Sequence, residues 1–218
     1  MSWPAPRGGE GVSALRALLA GVERGEPPPP DGGLTVVPQS SPRDLGVLAF
    51  TAHSVVFADL PLSWVRERLP PGDLSAPLGP PFLLALAGRT GRSAGSLDLL
   101  ALAAPLAGPP PLALEEVTAA EHPRVRRALR HRDEVRAWSC EGGLLTVGRG
   151  VGGRWEAAVE VEPAHRGRGL GRLLAAAARH LVPRPVWAQV APGNAASVRA
   201  LLAAGYVPVG AEVLLSRA

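Results

Sequence analysis

The segment VEVEPAHRGRGLGRLL (159–174) holds the residue types and spacing best suited to chemistry. An extended stretch through Val159 and Val161 runs into a turn with Gly167, Gly169 and Gly171, and LGRLLAAAARHL then reads as a helix. Amides at a helix start lack intrahelical partners, and glycines let a ligand come close to them, so such a turn is a cradle for an anion. Arg166, Arg168 and Arg172 add three guanidinium charges, which suits a diphosphate. The spacing is not that of the dinucleotide fingerprint, whose third glycine would fall at Arg172. A phosphate loop ending in Gly-Lys-Ser/Thr is excluded too, because the chain contains no lysine.

All 23 residues counted as Lys plus Arg are arginine, isoleucine is absent, and Asn194, Tyr206 and Cys140 are each the single residue of their type. The depleted residues are those with A/T-rich codons, as a GC-rich genome would produce. Without lysine there is no Schiff-base or lysine-activated mechanism. One cysteine excludes a disulfide framework and a multi-cysteine zinc site. The histidines at 53, 122, 131, 165 and 180 show no metal-ligand spacing, so no metal is expected. His165 stands beside the glycine turn, where it could touch a ligand. The net charge of +4 does not by itself indicate a nucleic-acid partner. No apolar run reaches the length of a membrane span and no secretory signal is apparent. The expectation is a soluble, cytoplasmic protein; association into a homodimer stays open.

These residues need a scaffold, and strands alternate with helices along the chain, giving an α/β (α+β) fold. Before Pro27–Pro30, Val12, Leu15, Leu18, Leu19 and Val22 recur at helical spacing. GVLAFTAHSVVFADL (46–60) reads as one or two strands, PLSWVRERL (61–69) and PPFLLALAGRTG (80–91) as helices, and SLDLLALAAPL (96–106) as a buried strand. Prolines at 105 and 109–111 mark the best boundary, dividing an N-terminal α/β region (1–110) from a second domain (111–218). There ALEEV reads as a strand, HPRVRRALRHR (122–132) as a basic helix with Val125, Ala128 and Leu129 inward, and 135–140 with 143–150 as a hairpin. RWEAAVEV (154–161) places Trp155, Ala157, Val159 and Val161 on one face and Glu156 and Glu160 on a more polar one. In the helix at 170–181, Leu170, Leu173, Leu174, Ala177 and Leu181 share a stripe. VWAQV (186–190) is a short buried strand, and NAASVRALLAAG (194–205) a helix with Val198, Leu201 and Leu202 inward. Gly205 stops that helix, and YVPVGAEVLLS forms one or two closing strands.

The string VEPAHRGRGLG (161–171) resembles the acyl-CoA signature R/Q-x-x-G-x-G/A of the GNAT acetyltransferase superfamily, matching at Arg166, Gly169 and Gly171. PGNAASVRALLAAGYVPVG (192–210) is similar to that family's later motif, in which an Asn starts a helix ending in Gly and an aromatic, here Gly205-Tyr206. The resemblance covers the C-terminal half. It implies a mixed, splayed central sheet whose parallel strands 154–161 and 186–190 part to admit a pantetheine arm. Backbone groups near Val159 and Val161 would pair with that arm. The turn Arg166, Gly167, Arg168, Gly169, Leu170, Gly171 and Arg172 would hold the pyrophosphate, with Asn194 also on the cofactor side. The co-substrate implied is acetyl-CoA or another acyl-CoA, without a metal. The acceptor implied is a small-molecule or peptide amine, attacking the thioester directly in a ternary complex.

An ammonium must first lose a proton, and Glu160 and Glu156 are the carboxylates beside the expected thioester position. Many relatives place a Tyr four residues before the closing Gly to protonate the leaving thiolate. Here that residue is Leu201, and Ser197, one turn earlier, is the candidate to donate or to orient a water. A hydroxyl facing its own helix backbone and an Asn194 that merely caps the helix are the plain alternatives. The rival function is a non-catalytic acyl-CoA-binding regulatory module. An arginine-rich nucleic-acid binder is the weakest reading, since Arg124, Arg126, Arg127, Arg130 and Arg132 suit a solvated helix face. GRSAG (91–95) matches a nucleophile elbow, but a helix precedes and a strand follows, so Ser93 belongs in a helix-ending turn. The N-terminal region, through His53, Phe57, Asp59 and Trp64, could cover the acceptor side, or be a degenerate copy of the same fold.

Overall fold

The computed structural model describes residues 13–118 and 122–217; Val12 of the N-terminal helical pattern lies outside them. Helix α1 (Ala14–Glu23) starts at Ser13, whose Oγ accepts from the Arg16 amide at 3.2 Å. Strands β1 (Leu34–Val37), β2 (Gly46–Phe50) and β3 (His53–Phe57) follow, then helices α2 (Leu62–Arg66) and α3 (Pro80–Thr90) and the long β4 (Ser93–Ala103). Helix α3 ends at Gly91 in the left-handed conformation and Ser93 opens β4, so the G-x-S-x-G string lies in a helix-to-strand turn. The second half gives β5 (Glu115–Val117), α4 (Pro123–His131), β6 (Asp133–Cys140), β7 (Gly143–Arg149) and β8 (Trp155–Val161). Helix α5 (Leu170–Leu181), β9 (Val186–Val190), α6 (Ala195–Ala203) and β10 (Val207–Ser216) complete the chain. Strand β1 was not anticipated from the sequence.

The strands form one ten-stranded sheet in the order β1-β3-β2-β10-β4-β9-β8-β7-β6-β5. Pairing is parallel at β1–β3 and β8–β9 and antiparallel elsewhere. Strand β4, from the first half, lies between β9 and β10 of the second, so a single sheet crosses the proline-rich stretch.

Alternation along the strands sets two faces. On one, Leu15, Leu19 and Val22 of α1 pack on Leu48, Leu100 and Trp187, while Val125 of α4 packs on Ala137 and Leu144. The other face carries α5 and α6 over Ala101, Leu145, Ala157 and Ala188, and α2 and α3 over Val47, Val56 and Val213. Each fully buried leucine, such as Leu174, stabilises the fold by about 2 kcal/mol. Two helical expectations shift in phase. Leu129 and Leu202 are 49% and 45% exposed, because Val125 with Ala128, and Leu201 with Ala204, take the inward positions.

The pairing of β8 with β9 is what positions the site. It holds only at Trp155↔Val186 and Glu156↔Trp187, and beyond Glu156 the two strands part. A fork therefore opens in the middle of the sheet, its crotch at Glu156 and its mouth toward the glycine turn.

Candidate functional site

The fork leads into a cleft of about 1120 Å³, somewhat larger than ordinary small-ligand pockets. One wall is β8 from Ala157 to Val161 and the turn to α5; the other is β9 with the first turns of α6. The Glu162 amide donates to Gly142 O of the β6–β7 turn, so even positions of β8 face β7 through their backbone. The backbone groups of Val159 and Val161 accordingly face the fork. Both carbonyls accept from arginines within the chain, Val159 O from Arg124 Nη2 and Val161 O from Arg166 Nε.

At the mouth, Gly167 and Gly169 have φ of 76° and 83°, and nothing lies within 4 Å of where a Cβ would stand on either. Their role is therefore conformational: they turn the chain so that α5 begins facing the cleft. The amides of Leu170, Gly171 and Arg172 have no acceptor among the described residues, and the first backbone bond of the helix is Leu173 N to Gly169 O at 3.2 Å. Arg168 and Arg172 are exposed and form no ion pair with a described residue. Three free amides, the positive end of the α5 dipole and exposed guanidinium groups make a site for a multiply charged anion. His165 also lines the cleft, 3.7 Å from both Glu141 and Glu162.

The two candidate carboxylates have different surroundings. Glu160 stands in the cleft, its Oε2 3.6 Å from Arg124 Nε. Glu156 is 4% exposed, in place of the polar face expected from alternation, and does not line the cleft. Its Oε1 accepts from Arg154 Nε and Gln189 Nε2, both at 2.8 Å, and from the Val151 amide at 3.3 Å; Oε2 accepts from Arg132 Nε at 2.8 Å. Burial raises its pKa, but Arg154 and Arg132 outweigh burial and hold it below the usual carboxylate range. A carboxylate so engaged is a weak base, and its position fits it for fixing the crotch.

On the α6 wall, Asn194 Oδ1 accepts from the Ser197 amide at 3.2 Å, so Asn194 caps the helix. The Ser197 hydroxyl has no partner among the described residues and lines the cleft, one turn before Leu201. Tyr206 is 2% exposed and donates to Ala175 O at 3.2 Å.

Sequence reasoning missed four cleft residues. Asp98 and Ser96 come from β4, with Ser96 Oγ donating to Asp98 Oδ1 at 2.9 Å. Their signal was one acidic residue interrupting the apolar string SLDLLALAAPL. Arg124, assigned to solvent, instead turns into the cleft and is half-buried, and Arg127 lines the cleft one turn later. Of the first-half residues expected there, none lines the cleft: His53 lies between Thr35 and Asp31, Asp59 caps the Gln39 amide, and Phe57 and Trp64 pack in apolar clusters.

Residues 133–206, which span β6 through α6, match the family model described as acetyltransferase (GNAT) family. No curated protein matches the chain. Among solved structures the chain is similar to a GCN5-related N-acetyltransferase from Kribbella flavida, at 20% identity and a TM-score of 0.39 over 62% of this chain and 63% of that one. A GNAT-family acetyltransferase from Colwellia psychrerythraea matches at 9% identity and a TM-score of 0.41, over 79% of this chain and 81% of that one. One from Novosphingobium aromaticivorans matches at 16% and 0.38, over 57% and 66%. The match thus spans less than two thirds of the Kribbella protein. The family model falls on the fork, the glycine turn and the capped helix α6, so that over residues 133–206 this chain is similar to the GNAT acetyltransferase family.

Proposed function

We propose that the protein is an acyl-CoA-dependent N-acyltransferase that moves an acetyl group from acetyl-CoA to an amine. The observation that carries this reading is the fork between β8 and β9 opening on unpaired amides and arginines at the start of α5. Those groups suit the pyrophosphate of the donor, and the fork suits its extended arm. The acceptor ammonium gives a proton to Glu160, directly or through water, and the amine attacks the thioester carbonyl. The C–S bond then breaks as the amide forms, and the thiolate takes up a proton. Holding both reactants in one cleft supplies most of the acceleration. A thiol that titrates about 8.5 leaves without an obligatory acid; the Ser197 hydroxyl can orient the water that protonates it. The N-terminal region (1–110) contributes the acceptor-side wall through Ser96 and Asp98 of β4, and the reaction is cytoplasmic.

Leu201, in place of the usual tyrosine, favours the second reading, a module that binds acyl-CoA without turnover. Calorimetric titration with acetyl-CoA and assay of thiol release over a panel of amines separate the two. Binding is expected in the wild type and lost in Gly169→Glu, which adds a like charge to the anion cradle. Turnover should fall by roughly 10²-fold in Glu160→Gln with acetyl-CoA affinity unchanged. Binding with no turnover on any amine would establish the module; no binding at all would refute both.

A further inference from the structure

The acceptor side of the cleft pairs opposite charges in a way the transfer reaction does not itself require. Helix α4 carries Arg124 and Arg127 three residues apart, both in the cleft wall. Arg124 is half-buried; its Nη2 reaches into the fork to Val159 O, while its Nε is buried with no hydrogen-bond partner among the described residues. Among the described residues the carboxylate paired with it is Glu160, its Oε2 3.6 Å from Nε and beyond hydrogen-bond length. Arg127 has no carboxylate partner among the described residues. Glu160 and Asp98 line the same cleft. Two guanidinium groups at the fork, one with an orphaned donor, call for an anion that the protein does not supply.

We infer that the acceptor is an amine bearing a carboxylate on the same or the adjacent carbon, such as an α-amino acid. Its carboxylate is held by Arg124 with Arg127, and its ammonium by Glu160. This rests on the acyltransfer reading of the same cleft. The internal pair has the dimensions of the ligand: the Arg124–Glu160 separation of 3.6 Å is close to that between ammonium and carboxylate in such a zwitterion. On binding, the substrate carboxylate replaces Glu160 beside Arg124 and satisfies Nε, and the substrate ammonium replaces Arg124 beside Glu160. The exchange leaves no unpaired charge in the half-buried wall, which is what makes it favourable. It also sets the amine against Glu160, the base, and at the fork, where the thioester is presented. A plain amine would leave Arg124 without its anion, and an amino amide would offer it only a neutral oxygen.

The test uses the full chain, acetyl-CoA and matched acceptors: leucine, leucinamide and isoamylamine, with the same three forms for alanine and phenylalanine. Thiol release is followed for the wild type, Arg124→Gln, Arg124→Lys and Arg127→Gln. The wild type should prefer the amino acid over its amide and amine by at least tenfold in kcat/KM in at least one series. Arg124→Gln should abolish that preference through KM while turnover of the amide persists, with Arg124→Lys recovering part of it and Arg127→Gln losing less. Calorimetric titration of the acceptors into the protein gives the same ranking without turnover, and thermal melts show which variants fold. Amides or amines used as well as amino acids in every series would overturn the inference while leaving the acyltransfer reading intact. Loss of acetyl-CoA affinity in Arg124→Gln would overturn it too, by placing Arg124 on the donor side. Failure of the wild type to bind acetyl-CoA refutes the transfer reading and this inference together.

Discussion

Tyr206 is the only phenol in the chain, yet its position argues against a catalytic role. Its hydroxyl donates to Ala175 O in a buried setting, and burial pushes its pKa well above that of a free phenol. Although Tyr206 is among the residues lining the cleft, a phenol tied to Ala175 O that gives up its proton so reluctantly is a poor acid. Tyr206→Phe should therefore leave thiol release within twofold of wild type and lower the unfolding free energy by about 1 kcal/mol, the worth of one buried hydrogen bond. A large loss of turnover at unchanged stability would show that the phenol acts in the reaction. Ser197 presents the opposite case, with its amide held by Asn194 and its hydroxyl free to face the cleft. The two residues show what spacing conveys. The Gly205-Tyr206 pair marked a helix end with an aromatic behind it. Whether that aromatic's hydroxyl pointed inward or into the cleft depended on Ala175, 31 residues away.

Elements with a local cause were legible. Helix α5 follows the apolar stripe expected for 170–181, the β6–β7 hairpin turns at 141–142, and α3 stops at Gly91. Helix α6 stops before Gly205, which has φ of 84°, and a Cβ there would lie 2.4 Å from Arg179 Nη1. That guanidinium donates to Ala204 O at 2.7 Å and ties α5 to the end of α6. Gly205→Ala should cost about 1–2 kcal/mol, through the strained φ and the displaced arginine, as read by urea denaturation; an unchanged midpoint would contradict that account. Elements with a distant cause were not legible. Strand β1 has four residues, too few for a period-two signal, and exists because β3 accepts it in parallel. The inward turn of Arg124 could not be read from helical periodicity either. Val125 and Ala128 define the buried face of α4, and Arg124 sits at its edge. Whether an edge arginine meets water or a cleft is decided by β8, whose Val159 O receives the Arg124 guanidinium.

At the scale of the whole molecule, one sheet joins both halves, and a buried charge network lies across its middle. Arg154, fully enclosed, donates to Glu156 on β8 and through both contacts of Nη2 to Glu212 on β10, at 2.8 and 2.9 Å. Between those strands lie β9, which sends Gln189 to Glu156, and β4, whose Asp98 is the cross-strand neighbour of Glu212. Burial drives the pKa of Glu212 up to about 7, against the pull of Arg154 and with the help of Glu156 and Asp98. In the unfolded chain the same carboxyl titrates near its ordinary value of 4.5. Between these values the folded protein holds a proton that the unfolded chain has released, so stability falls as pH rises toward about 7. The contribution is present in full below about 4.5 and amounts to something on the order of 3 kcal/mol. Glu156, with its pKa lowered, acts in the opposite sense and only at more acid pH. His131, lowered by burial and by neighbouring arginines, opposes the slope near neutrality. The informative quantity is therefore the difference between wild type and Glu212→Gln, which keeps an oxygen for Arg154 and removes the titration. Urea denaturation at pH 5, 6, 7 and 8 should show the variant losing less stability than wild type from pH 5 through 7, with the two curves becoming parallel only as pH reaches about 8. Parallel curves across the whole range would mean that Glu212 is already ionised at pH 5, with Arg154 outweighing the cost of burial.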